Sequence, residues 1–485
     1  MSKFSSQIDA DDQRLRPTFS RRRFVQHSGL GAAGVAFGAL GARSRDAAAK
    51  HCGPCGDYGE LVPTKDDVTG LYLLSLPKGF RYQSFGWTGQ TMNDGRPTPA
   101  DHDGMAVVAR SGRYLAIVRN HELSRGEGTQ CLVEGGMYNP EEFGGTTTLI
   151  FDRARRCFVH SYTSLGGTIR NCAGGLTPWG SWISCEETFH EWDARDDGFN
   201  HGYIFDVPGF GISSGEPIRA AGRFSHEAVA VDPSTGIVYE TEDTGQSGFY
   251  RYIQPGCGKR KNWWRHDSLQ DGGRLEAMVV EGQARFDLRG GFEDGTTFSV
   301  SWQEVTDPEA KEGRAFDSAP DAAIVARGEG AWYDSGKIYF VSTSGGAAGL
   351  GQVWMYDPKR ETLTMVYESR SADDVDSPDN IAVSPRGGIL LCEDGDSDPQ
   401  RLVALSPAGN VSTFSENLID LAPGDIDIID AKFPGTKENF LDEPVGVYTG
   451  SEWAGATFYG RWLFVNIQTP GVTFAITGPW RRGCL

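Results

Sequence analysis

The chain has 485 residues, 46 basic and 65 acidic, with a formal charge of −19 and an isoelectric point near 4.9. Hydrophobic residues at 39% and charged residues at 23% exclude a disordered chain, and the acidity excludes nonspecific nucleic-acid binding, which needs a basic surface. The 64 glycines, nearly twice the usual share of about 7%, follow no G-x-y period, which excludes collagen and points to many tight turns.

The first residues read as an address. Ser20-Arg21-Arg22-Arg23-Phe24-Val25-Gln26 fits the twin-arginine export pattern. A stretch rich in Gly and Ala follows, and Ala47-Ala48-Ala49 offers an A-x-A cleavage site. The expectation is a signal over residues 1–49, recognised by the twin-arginine machinery, and a periplasmic or secreted mature chain. Its removal takes away eight basic and four acidic residues and leaves −23. The apolar stretch is too short for a membrane span, and no later run of 18 apolar residues supplies a stable anchor.

The nine cysteines are odd in number, so at least one stays outside any intramolecular pair. Cys52-Gly53-Pro54-Cys55 has thioredoxin-like spacing without a βαβ context. A local disulfide or a structural thiol pair is the expectation there. Cys185 and Cys392 fall inside strand patterns and read as core thiols.

From residue 102 onward one unit returns six times. It is a short apolar strand, a turn with Gly, and a second apolar strand that ends in polar residues. The copies span 102–122, 171–187, 225–245, 327–343, 378–395 and 451–468. The spaces between them leave room for two further strands in each unit. Four strands repeated about an axis describe a β-propeller blade, so the expected fold is an all-β, six-bladed propeller over residues 50–485. A β-sandwich is the competing architecture, but it has no reason to show a sixfold return. The uneven spacing implies insertions. The largest, about 264–319, is expected to form a loop or small subdomain, and another covers roughly 417–441.

In a propeller the innermost strand starts at one face of the central channel, and its hairpin partner ends near the same face. The polar residues at both places therefore converge. Before or at the first strand stand His102 and Asp103, Asn171 and Cys172, His226 and Glu227, Arg327 and Glu329, Asp379 and Asn380, and Glu452. After the second stand Asn120 to Glu122, Glu186 and Glu187, Glu242 and Asp243, Ser342 and Thr343, Glu393 and Asp394, and Asn466 and Gln468. Any one of these is an ordinary solvated strand end. Together they crowd carboxylates that cannot all stay ionised unless cations relieve them. Oxygen-rich clusters select hard cations such as calcium, whereas the Cys172 thiolate would suit iron.

These segments resemble one family closely. Asn171-Cys172-Ala173-Gly174-Gly175-Leu176-Thr177-Pro178-Trp179-Gly180 with Cys185-Glu186-Glu187, Ser225-His226-Glu227, Arg327-Gly328-Glu329-Gly330, Asp379-Asn380-Ile381, and Asn466-Ile467-Gln468 with Gly478-Pro479-Trp480 are similar to the PhoX family of secreted alkaline phosphatases. The opening from Tyr58-Gly59 to His102-Asp103-Gly104-Met105 resembles it too. The resemblance implies a six-bladed propeller, exported by the twin-arginine route, with an iron and calcium cluster in its channel and activity on small phosphate monoesters. It makes Cys172 the thiolate ligand of iron and part of the catalytic site. Glu187 and Glu227 become carboxylate ligands shared among iron and calcium, and Glu329 and Asn380 ligands mostly of calcium. Arg327 would grip the substrate phosphate. Glu242, Asp243, Glu393 and Glu452 join the metal site because they stand at matching blade ends.

Ions at such a site would make a serine nucleophile unnecessary. The one G-x-S-x-G match, Gly211 to Gly215, has Pro208-Gly209 before it and Glu216-Pro217 after it, which describes a surface turn rather than a nucleophile elbow. Two other readings fit the same carboxylates. One is a calcium-dependent propeller hydrolase of lactones or phosphodiesters, which would not need Cys172 or Arg327. The other is an exported protein in which calcium only staples the blades.

Overall fold

The computed structural model describes residues 58–189, 198–255, 269–440 and 444–485. The export segment, Cys52, Cys55 and residues 256–268, which include the start of the expected insertion at 264, lie outside them.

Each sequence repeat is an antiparallel hairpin. The inner strands are His102–Ser111, Asn171–Leu176, His226–Val231, Gly328–Asp334, Pro378–Val383 and Trp453–Tyr459. Their partners are Tyr114–His121, Ser181–Glu186, Val238–Glu242, Lys337–Ser342, Ile389–Glu393 and Trp462–Ile467. Short β-branched and aromatic runs make the strands, and turn glycines at positive φ, such as Gly112 and Gly460, make the reversals. The inner strands touch one another in a closed order, with the sixth returning to the first. Further strands pair outward from each hairpin. The result is an all-β propeller-like ring of blades around a channel.

The ring is closed by chain ends that are far apart in sequence. Val472–Thr477, the third strand of the last blade, pairs with Arg81–Phe85 from the start of the described chain. Apolar clusters fill the spaces between blades. Met105 and Val107 of the first blade pack with Phe464 and Ala475 of the last. Phe249 of the third blade stacks on Phe340 of the fourth, with ring centroids 4.3 Å apart. Cys185 and Cys392 are fully buried in these clusters, as core thiols.

The described part of the 264–319 stretch is built into the blades. Arg274–Val280 and Thr297–Glu304 extend the third sheet, and Thr297–Glu304 also pairs with Thr362–Glu368 of the fourth. Within 417–441, the helix Pro423–Lys432 buries Ile426 and Ile429 against the last blades.

One irregularity recurs in every hairpin. The first residue of the inner strand pairs with the last residue of its partner, as in His102 with His121 and Pro378 with Glu393. The register then slips by a β-bulge, one residue later in the sixth hairpin than in the others. Bulges re-aim side chains next to functional sites. Here they turn residues toward the channel.

Neighbouring inner strands also approach so closely that some positions admit only glycine. A β-carbon on Gly175 would lie 1.9 Å from the Val229 carbonyl oxygen of the next blade. Gly175→Ala must therefore push two inner strands apart. It is expected to lower the thermal midpoint, at an overpacking cost of about 1–3 kcal/mol; an unchanged melting curve would contradict this close approach.

Candidate active site

Two positions per blade face the channel. The first is the second residue of the inner strand, freed from the ladder by the bulge in five blades: Asp103, Cys172, Glu227, Glu329 and Asp379; in the sixth, Ala454 holds that place but stays paired with Asn466. The other is the residue just after the second strand: Glu122, Glu187, Asp243, Thr343, Asp394 and, in the sixth blade, Gln468. A backbone hydrogen bond fixes this second position in all six blades. The Glu122 N–H donates to Asp101, Glu187 to Arg170, Asp243 to Ser225, Thr343 to Arg327, Asp394 to Ser377 and Gln468 to Glu452, at 2.9–3.2 Å.

Eight of these residues, Glu122, Cys172, Glu187, Asp243, Glu329, Asp379, Asp394 and Gln468, line a cavity of about 490 Å³ whose described wall holds no aliphatic or aromatic side chain. Three overlapping groups of possible ligand atoms lie at and beside its wall, each within 4.8 Å: Asp103, Glu122 and Cys172; Cys172, Glu187 and Glu227; and Glu227, Glu329 and Asp379. Cys172 and Glu227 each belong to two groups, so the three form one continuous cluster.

The electrostatics show what this cluster lacks. Burial pushes the carboxyls of Asp103, Glu187, Glu227, Glu329 and Glu452 well above the usual range, and their acidic neighbours add to it. Asp379 is pushed up to about 7, by burial first and by Asp394 next. Burial likewise raises the Cys172 thiol, with Asp103 and Glu227 contributing. Both carboxyl oxygens of Glu227 and Oδ2 of Asp103 are buried without a nitrogen or hydroxyl donor among the described residues, the Cys172 thiol being the donor group beside them. An oxygen left in that state costs about 1–3 kcal/mol. Lone pairs aimed into a polar cavity beside a thiol are the donor set of a cation site, and the residues present fit one.

Arg327 lies on the wall with its side chain 41% exposed. Its Nε donates to Asp243 Oδ1 at 2.9 Å and its Nη2 to Glu329 Oε1 at 2.7 Å. Burial opposes its charge, but Glu329 and Asp243 outweigh that and hold its pKa above the ordinary value.

The structure brings together Cys172, Glu187, Glu227, Asp243, Arg327, Glu329 and Glu452 from the sequence-based set. Glu242 and Glu393 do not reach the cavity. Glu242 accepts hydrogen bonds from Tyr250 Oη at 2.6 Å and Arg314 Nη2 at 2.7 Å. Glu393 takes both Arg401 Nε and Nη2 at 2.8 Å and the Asp376 N–H at 2.8 Å. The reason is the two-residue period of a strand: the last strand residue points into the blade and the next one into the channel. Asn380 is buried but does not line the cavity; its neighbour Asp379 does.

Glu122, Asp379, Asp394 and Gln468 belong to the wall and were visible only as members of the converging polar set. Arg170 was not visible there. Its signal is the parallel of Arg170-Asn171-Cys172 with Arg327-Gly328-Glu329. The Gly211–Gly215 turn lies outside the cavity wall, and the hydroxyl of its buried Ser213 donates to the Asp206 carbonyl at 2.7 Å.

Comparison with known proteins adds three findings. A family model described as alkaline phosphatase PhoX matches residues 56–471. The solved structure of Pseudomonas fluorescens PhoX in complex with vanadate, a transition-state analogue, aligns with a TM-score of 0.59 at 16% identity, over 88% of this chain and 98% of that one. A virginiamycin B lyase variant from Staphylococcus aureus, solved with quinupristin, aligns with a TM-score of 0.38 at 10% identity, over 82% and 99%. No curated protein sequence matches significantly.

The two neighbouring acids of the fifth blade give a paired prediction. Glu393→Gln weakens the buried pair with Arg401 and is expected to cost about 1–3 kcal/mol of stability, read as a lower melting midpoint. Asp394→Asn is expected to change cation content and turnover instead; a reversal of these effects would mean that the facing is wrong.

The raised carboxyl pKa values set a pH dependence. A carboxyl raised on folding stabilises the fold below its unfolded value near 4 and loses that contribution as pH rises through its folded value. For Asp379 that folded value is about 7. Protein dialysed free of divalent cations is therefore expected to melt lower at pH ~8 than at pH ~5, relative to cation-loaded protein at the same pH. Equal melting gaps at both pH values would count against it.

Proposed function

The chain belongs to the PhoX family of alkaline phosphatases and is a phosphatase, and we propose that it hydrolyses small phosphate monoesters with calcium and iron in its channel. The observation that carries this reading is the continuous cluster of Asp103, Glu122, Cys172, Glu187, Glu227, Glu329 and Asp379, with Arg327 on its wall.

The donor types divide the work. Cys172 is the one soft donor and suits iron, shared with carboxylates on either side. The group of Glu227, Glu329 and Asp379 offers only oxygen and suits calcium. Bound cations would reverse the negative field of the channel, draw in a phosphate dianion and stabilise the charge that develops on it.

The remaining functions belong to the chain itself. Arg327 spends Nε and Nη2 on Asp243 and Glu329, which orient the guanidinium and leave Nη1 to donate to a phosphoryl oxygen. Glu187 and Glu227 are buried beside the thiol, so they stay ionised only where a cation offsets their charge and otherwise take up a proton. Cys172 likewise stays protonated without a cation, because burial disfavours its thiolate. The open, polar end of the cavity leaves room for the alcohol portion of the ester.

The proposal extends to location. The twin-arginine pattern at 20–26 would carry the folded chain out of the cytoplasm, with the mature part periplasmic or secreted.

Cys172→Ser tests the metal assignment. It is expected to lose iron by elemental analysis and to lose at least about 10³-fold in kcat on an aryl phosphate, while circular dichroism stays that of a β-protein. Undiminished turnover in iron-free protein would overturn the iron role, and turnover indifferent to a calcium chelator would overturn the calcium role.

A further inference from the structure

We propose that Arg170 is a second substrate-binding guanidinium, which takes an anionic group on the alcohol portion of the ester while Arg327 takes the phosphoryl group. The inference rests on the phosphatase reading and names a substrate class within it: phosphate monoesters that carry a further carboxylate or phosphate.

Arg170 and Arg327 occupy equivalent places in the second and fourth blades. Each is the residue before the inner strand, and each sits two residues before a cluster member, Cys172 or Glu329. Both take a left-handed backbone, with φ of +46° and +45°. Asp101 and Ser377 do the same in the first and fifth blades, so that conformation belongs to the fold. What distinguishes 170 and 327 is the side chain. They are the two cationic residues among those that line the described cavity.

Both guanidiniums are used in the same way. Arg170 donates from Nε to Glu122 Oε1 at 3.1 Å and from Nη2 to Glu187 Oε2 at 2.5 Å. Arg327 donates from Nε to Asp243 and from Nη2 to Asp243 and Glu329. In each, Nη1 has no hydrogen-bond partner among the described residues, and the side chain is 44% or 41% exposed. Two acids thus hold each fork in place and leave one edge for a ligand. Arginine is suited to that task, since its donors are fixed in one plane and its charge is permanent.

The two edges address different parts of a ligand. Glu187 and Asp243 are acidic neighbours, each held by one of the two guanidiniums. The belt runs Glu122, Arg170, Glu187, Asp243, Arg327, Glu329. With no apolar side chain on the described wall, an apolar alcohol gains nothing there, whereas an anionic one gains Arg170.

Non-hydrolysable phosphonates test this without turnover. Inhibition constants are measured for methylphosphonate, which has one anionic group, and phosphonoacetate, which adds a carboxylate. The wild-type protein is expected to prefer phosphonoacetate by about tenfold, the size of one charge-assisted hydrogen bond. Arg170→Gln is expected to bring that ratio close to one. The milder Arg170→Lys, which keeps the ion pairs but not the fork, should lower it about threefold. A purely structural role would weaken both inhibitors together and preserve the ratio, which would overturn the proposal. A wild-type ratio near one would overturn it as well. Arg327→Gln reports separately on the phosphatase reading: it should weaken both inhibitors, and if it does not, the phosphoryl assignment fails while the ratio still judges Arg170.

Discussion

In every blade the N–H after the second strand donates to the carbonyl before the first, and a bulge follows at once on the inner strand. That pair of features decides which side chains the channel receives. The hydrogen bond brings one residue after each second strand to the rim, and in five of the six blades the bulge turns one residue of the inner strand inward. Six repetitions of one backbone motif thus build two tiers of side chains around a single axis. The close contact at Gly175 and the interblade clusters keep the tiers in register. Chemistry enters only through which side chains stand at those positions.

The occupants are mostly acids, and their proximity has an energetic consequence. Two charges 4 Å apart interact by about 4 kcal/mol at an effective dielectric of 20. The cluster holds several such pairs within 4.8 Å, so repulsion exceeds what any single hydrogen bond can offset. The arrangement must take up protons or cations. Arg170 and Arg327 offset part of the charge on the four acids they touch, Glu122, Glu187, Asp243 and Glu329. The inner atoms of Glu227 and Asp103 have no such relief from the chain. Partial relief at the rim and none at the centre bias added positive charge toward Glu227 and Asp103.

The hairpins were legible because strand and turn chemistry are local: β-branched and aromatic runs alternate with glycine turns. Convergence of polar ends was legible because a propeller aims all its inner hairpins alike. The facing of each residue was not. Glu242 and Asp243, or Glu393 and Asp394, are interchangeable as letters, yet one residue of register separates a blade acid from a channel acid. What settles the matter is partners that sequence does not bring near: Tyr250 and Arg314 for Glu242, Arg401 and the Asp376 amide for Glu393. Arg170 was hidden for a different reason. It precedes its strand in a left-handed conformation, where no propensity foretells the direction of the side chain.

The pairing of Arg81–Phe85 with Val472–Thr477 has a bearing on how the molecule comes into being. The last blade takes a strand from the start of the chain and three from its end, so no prefix of the polypeptide contains a closed ring. During synthesis the early blades can form and stack, but the channel stays open on one side until Val472–Thr477 has been made. The cluster draws on strands from the first to the fifth blade, so its geometry is set only when that seam shuts. The complete site therefore needs strands from both sides of the seam. A chain that stops short of Val472 is left with an unsatisfied sheet edge and an incomplete cage at the same time.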